Sequence, residues 1–231
     1  MQHHDKPAVE SLARKAEHEV LHAVQGVPRW PGTIALLAIG LIYLFLPEEY
    51  TFGPRWLPLA IIAVFLVPIF ISRWRGYHLM AHATTRVLLV LMTLAVAFSA
   101  VSLLVQISAG RIKPLLLLSY ASLIWIANIV TFAIWYWSVD GGGPAHRHPG
   151  RHCSSDFLFP QQQQDDDGIV EGWSPGFIDY LFLAFNTSTA FSPTDTLVLS
   201  RRAKVLMMSQ SLISLVVVAV LLARAINTIG S

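Results

Sequence analysis

Apolar residues in this chain are gathered into blocks rather than spread along it. Five blocks reach or approach the roughly 17–25 residues that a helix needs to cross hydrocarbon: 30–46, 56–71, 87–107, 115–137 and 203–226. The first is short and stops at Pro47-Glu48-Glu49, and the second carries Pro58 and Pro68, which bilayer helices tolerate better than soluble ones. Trp30, Trp56, Trp74, Trp135, Tyr136 and Trp137 stand at block ends, as an interfacial aromatic belt requires. The pattern predicts an all-α fold, a polytopic transmembrane helical bundle with about five membrane-spanning helices.

A sixth apolar piece, 177–185, is too short to span. Ser174-Pro175 marks its start, and it runs into Asn186-Thr187-Ser188-Thr189 and then Pro193. A half-helix followed by irregular polar backbone predicts a re-entrant segment, because non-helical backbone at membrane depth survives only against protein or a water-filled cavity. Residues 1–29 contain an amphipathic stretch over 8–25 that is expected to lie on the membrane surface. The organisation is therefore a surface segment (1–29), a four-helix region (30–138), a soluble flexible linker (139–173) and a half-helix, loop and last helix (174–231). Within the linker, Gln161 to Gln164 and Asp165-Asp166-Asp167 read as solvated low-complexity chain, whereas Phe157-Leu158-Phe159-Pro160 offers an apolar anchor to the bundle.

Composition agrees with the blocks. Of the residues 54% are hydrophobic and 13% charged, with a mean hydropathy of +0.55; soluble domains carry about 25% charged residues. A net charge of +2 is too small to imply nucleic acid. The single cysteine, Cys153, excludes an internal disulfide framework, and the polar N-terminus lacks the short apolar core of a cleaved signal peptide. Basic residues favour the cytoplasm. Lys6, Arg14, Lys15 and Arg29 share a side with Arg73, Arg75 and Arg86, which places the N-terminus and, after four crossings, the linker inside.

The run from Asp179 through Phe191 to Asp195 resembles the pore region of the tetrameric potassium-channel superfamily. Laid on the pattern T-x-T-T-V-G-Y-G-D, Thr187, Thr189 and Asp195 match. Ala190 replaces a threonine, Phe191 the valine, and Ser192, Pro193 and Thr194 the Gly-Tyr-Gly. A helix follows, with Ser214 near the usual hinge position and Gln210 one turn before it. The chain also resembles a bacterial family of integral membrane proteins to which no activity is attached. Trp135-Tyr136-Trp137, Asp140-Gly141-Gly142-Gly143-Pro144, the run from Asp156 to Gln161 and the run from Asp179 to Arg202 carry that likeness.

The resemblance implies a homo-oligomer, a tetramer if it is a channel, in a bacterial inner membrane. It further implies a cation path through Thr187, Ser188, Thr189, Phe191, Ser192, Pro193, Thr194 and Asp195, with Gln210 and Ser214 on the lining helix. Potassium selectivity does not carry over, since the filter glycines permit backbone angles that Ser192 and Thr194 adopt only at a cost and Pro193 fixes φ. Small monovalent cations remain the expected cargo, beside the lipid bilayer itself. Potassium channels present linker and filter outward, against the charge count here. The alternative of the same fold is a sealed structural or assembly protein that conducts nothing.

Other constellations are weaker. His18-Glu19-Val20-Leu21-His22 matches the helical zinc motif of metalloproteases, but a catalytic zinc needs a third ligand; Glu48 and Glu49 are the nearest downstream carboxylates, with a crossing in between. A solvated helix face is the expected reading of His18 and His22, and no enzymatic activity is expected. His146, His148, His152 and Cys153 are possible metal ligands in a loop that does not orient them. Ser119, Ser122, Asn128, Thr131, Ser209, Gln210, Ser211 and Ser214 fall within apolar blocks, where interhelical hydrogen bonding is their usual task. Arg224 can snorkel to the interface near Asn227. No cofactor motif occurs, so no cofactor is expected.

Overall fold

The computed structural model describes residues 30–108, 114–143, 155–162, 173–189 and 195–229. Six α-helices carry the fold: α1 Trp30–Phe45, α2 Leu57–Trp74, α3 His78–Ser108, α4 Pro114–Val139, α5 Phe177–Thr189 and α6 Arg201–Ile229. Two two-residue strands, β1 Phe157–Leu158 and β2 Leu197–Val198, pair antiparallel. Among the described residues α2, α3, α4 and α6 are long and apolar enough to cross a membrane. The chain is a multi-pass membrane protein with an all-α bundle fold. Helix α1 has 16 residues and a length of about 24 Å, short of the roughly 30 Å hydrocarbon core. The surface segment 1–29, with His18 and His22, lies outside the described residues.

Helix α4 is the hub. It packs against α1, α3, α5 and α6, while α2 rests on α1 and α3. The α1–α2 contact is close because Gly40 lacks a side chain: a Cβ there would lie 2.6 Å from Leu59 Cδ1. Small residues let bilayer helices approach in this way. The start of α1 meets the end of α4, where a Cβ on Gly32 would strike the Trp137 ring at 2.4 Å.

At the opposite end, Tyr50 packs against Tyr120 at a tilt of 46° with ring centroids 5.5 Å apart, and Gln106 approaches Glu49 at 3.5 Å. Burial, aided by Glu49 and Tyr120, pushes the Tyr50 phenol up to about 12, so it stays neutral at physiological pH. Between the two ends, Tyr43 on α1 and Ser99 on α3 share a buried hydrogen bond of 3.3 Å.

Successive helices therefore run antiparallel. One end of the bundle collects the start of α1, the Arg75-Gly76-Tyr77 turn, the end of α4 and the start of α6. Arg73, Arg75, Arg86, Arg201, Arg202 and Lys204 lie at or near this basic end.

The aromatic positions divide. Trp30, Trp56 and Trp74 are exposed at helix ends, as a belt requires, whereas Tyr136 and Trp137 are buried. These two belong to the protein core, because 155–162 and α5 fold over the end of α4. The apolar anchor expected within the linker is packed: Phe157 and Phe159 are buried, and Phe159 meets the Tyr180 ring edge-on at 5.3 Å.

The charge distribution fixes an expected orientation. With the basic end in the cytoplasm, a membrane-impermeant maleimide should label Cys153 in inverted vesicles and not in right-side-out ones. The opposite labelling would reverse the assignment.

Candidate functional site

Helix α5 is too short to cross, with 13 residues and a length of about 20 Å against a hydrocarbon core of roughly 30 Å. It starts at the basic end, where Phe177 meets Trp137 at 5.7 Å and the Tyr180 hydroxyl donates to Asp140 Oδ2 at 2.5 Å. Asp179 caps that start by accepting from the Gly176 N–H at 2.7 Å.

Its other end lies deep in the bundle. Phe185 meets Trp125 at 5.8 Å, and Ser188 meets Ser214, which lies about 20 Å along α6 from its first residue. By Leu197–Val198 the chain is back at the basic end, paired with Phe157–Leu158. The segment enters and leaves on one side. Phe191, Ser192, Pro193 and Thr194, which would form the return path, lie outside the described residues, and Asp195 is exposed where the chain re-emerges.

The last four carbonyls of any helix lack intrahelical partners, and hydrocarbon supplies none. Here α6 side chains reach two of them, Thr187 O and Ser188 O. Gln210 Nε2 donates to Ala184 O and to Ser188 Oγ, both at 2.7 Å. Ser214 Oγ donates to Ser188 O at 2.6 Å, and Ser211 Oγ reaches Thr187 O at 3.4 Å. Thr189 Oγ closes on Asn186 O at 3.0 Å, and Thr187 Oγ on Leu183 O at 2.8 Å.

This accounts for a difference from the sequence expectation. The helix does not stop at Phe185 but continues through Thr189, because the threonine hydroxyls and the α6 side chains satisfy its last turn.

Helix α4 holds α6 in register. Tyr136 OH donates to Gln210 Oε1, Asn128 Nδ2 to Gln210 O at 3.3 Å, and Trp125 Nε1 to Ser214 Oγ at 3.2 Å. Gln210 and Ser214, expected on a path lining, are buried, with their polar atoms committed to α4 and α5. Thr187 and Ser188 are buried beside them.

Other intramembrane polar residues behave differently from expectation. Ser119, Ser122 and Ser209 bond back to carbonyls of their own helices. Asn128 Oδ1 and Thr131 Oγ are buried without a partner among the described residues.

A second network fastens the re-entrant segment from above. Gly141, Gly142 and Gly143 have φ of +57°, +81° and +93°, a left-handed run that side chains disfavour. It turns the chain sharply after α4, leaving Asp140 buried at the helix end. Asp140 Oδ1 accepts from the Asp156 N–H at 2.7 Å, the Phe157 N–H at 3.2 Å and Ser155 Oγ at 2.9 Å. Asp156, also buried, holds Arg202 through two bonds of 2.7 and 2.6 Å.

Asp140, Asp156, Tyr180 and Arg202 were not singled out in the sequence for a role. The available signal was a carboxylate directly after an apolar block and before three glycines, since a charge there must find donors. His146, His148, His152 and Cys153 lie outside the described residues, as do the side chains of Arg224 and Asn227. Among the described residues no group of three potential metal ligands converges. Compared with protein-family models, with curated proteins and with solved structures, the chain matches none.

Gln210→Leu removes three side-chain hydrogen bonds, which at about 0.6 kcal/mol each amounts to about 2 kcal/mol, read as a lowered Tm in detergent. Asp140→Ala leaves two backbone N–H groups and the Tyr180 hydroxyl without this acceptor, while Ser155 Oγ keeps Phe157 O, a cost of about 3–5 kcal/mol. Limited proteolysis should then cut within 155–162, which the wild-type chain resists.

Proposed function

We propose that copies of this chain assemble into a homo-oligomer, four by the channel resemblance, that conducts small monovalent cations past the buried end of α5. The observation that carries the reading is a half-length helix ending deep in the bundle, with chain entry and exit on the same side. The C-terminal end of a helix carries a partial negative charge. Placed in a low-dielectric interior, it favours a cation beyond it.

The side chains divide into two groups on this reading. Thr187, Ser188, Gln210 and Ser214 hold the half-helix, while Thr189, residues 190–194 and Asp195 border the path. The outward face of α5 is apolar: Ile178, Phe182 and Phe185 are exposed and suit a neighbouring copy or lipid. The path opens at the basic end, so the charge argument sets Asp195 at a cytoplasmic mouth. A ring of carboxylates there draws cations electrostatically. No enzymatic step enters this reading.

A second reading has its own observation. Gln210, Ser211, Ser214 and Thr187 all find partners within one chain, which also suits a sealed bundle with a structural or assembly role.

Purified protein in liposomes separates the two. Cation flux is expected, reduced severalfold by Asp195→Asn and altered in selectivity by Thr189→Ala. Folded, inserted protein that leaves the vesicles tight favours the sealed bundle. Flux indifferent to both substitutions would remove these residues from the path.

A further inference from the structure

At the basic end, between α3, α4 and α6, lies a pocket of about 460 Å³. Arg86 on α3 and Arg201 and Arg202 on α6 line it, together with Trp135, Val205 and Leu206. Its depth in the membrane follows from the elements. Val139, also on its wall, is the last residue of α4, and Arg201 is the first of α6. Helix α3 has 31 residues and a length of about 46 Å, well beyond the roughly 30 Å hydrocarbon core, and Arg86 lies in its first three turns, on the side of the α2–α3 turn. The pocket therefore sits at headgroup level, with its apolar wall towards the hydrocarbon.

The charges are uneven in their commitments. Arg202 is held by Asp156. Arg86 and Arg201 are exposed, and neither has a hydrogen-bond or ion-pair partner among the described residues. Arg201 also opens α6, whose N-terminal end adds a partial positive charge; Ser200 Oγ accepts from the Ala203 N–H there. Two uncommitted guanidinium groups beside a helix start match a phosphate, which arginine binds through paired N–H donors. The Trp135 N–H is already given to Thr93 Oγ at 2.9 Å, so the remainder of that ring offers apolar contact. A phosphate at the rim with an apolar wall beneath describes a lipid rather than a free anion.

We propose that this pocket binds the phosphate headgroup of an anionic phospholipid, with Arg86 and Arg201 on the phosphate and an acyl chain against Trp135, Val205 and Leu206. Basic pockets between transmembrane helices on the cytoplasmic side bind anionic headgroups by this chemistry. The proposal does not depend on conduction.

The test is native mass spectrometry of the intact, detergent-solubilised protein titrated with phosphatidylglycerol or phosphatidylcholine, and separately with inorganic phosphate. Wild-type protein should retain phosphatidylglycerol in preference to phosphatidylcholine. At roughly fivefold per surface arginine, R86Q/R201Q should lose roughly thirtyfold in that affinity, while K204Q, one turn away, should lose far less. If the double variant fails to fold by circular dichroism, R86Q and R201Q singly should each lose about fivefold. Equal retention of the two lipids, undiminished binding by the arginine variants, or an equal loss in K204Q overturns the proposal. So does inorganic phosphate that displaces phosphatidylglycerol at low millimolar concentration, which would mark a free-anion site.

Discussion

Hydrocarbon gives a backbone carbonyl nothing to bond, so a helix that stops halfway across a membrane needs partners brought to its end. In this chain Ser211 and Ser214 reach the Thr187 and Ser188 carbonyls at that end, while Gln210 braces Ala184 O and Ser188 Oγ just before it. The rest of the bundle is arranged around that delivery. Helix α4 lies against both α5 and α6, and its Tyr136, Asn128 and Trp125 fix α6 at the height where its polar side chains meet the last turn of α5. Without this alignment α5 would carry bare carbonyls into lipid.

The upper fastening serves the same segment from the other side. Asp140 ends α4 and gathers donors from Ser155, Asp156, Phe157 and Tyr180. Asp156 then reaches Arg202 at the start of α6. Three elements that are distant in sequence are joined through two buried carboxylates, and the entry and exit of the re-entrant segment are held together. Buried charges persist only when they are paired or fully hydrogen-bonded; Asp156 is paired with Arg202 and Asp140 is met by four hydrogen-bond donors. Arg202 is half exposed, so its contribution is weakened by water, whereas Asp140 draws on donors that are themselves buried.

The basic end gathers the entry and exit of the re-entrant segment and a set of arginines. Arg202 is used within the chain, while Arg86 and Arg201 remain available to the surroundings. The arginines and the anchorage of α5 therefore share α6: the same helix presents cations at its first turn and hydrogen-bond donors about three turns deeper.

The amino-acid sequence determined membrane residence, the approximate positions of the apolar helices and the short length of the sixth, because blocks of apolar residues have only one stable solvent; of the five spans it predicted, four are long enough to cross and α1 is not. It also marked Thr187, Ser188, Gln210 and Ser214 as polar residues within apolar surroundings. What those residues do was decided by the tertiary structure. A hydroxyl or amide in a helix can return to its own backbone, as Ser119 and Ser209 do, cross to a neighbour, as Ser214 does, or face water. Periodicity assigns a face and not the neighbour that covers it. Asp140 and Tyr136 show the same limit, since their burial depends on residues 155–162 and α5 folding back over the end of α4, a contact between segments that no local pattern encodes.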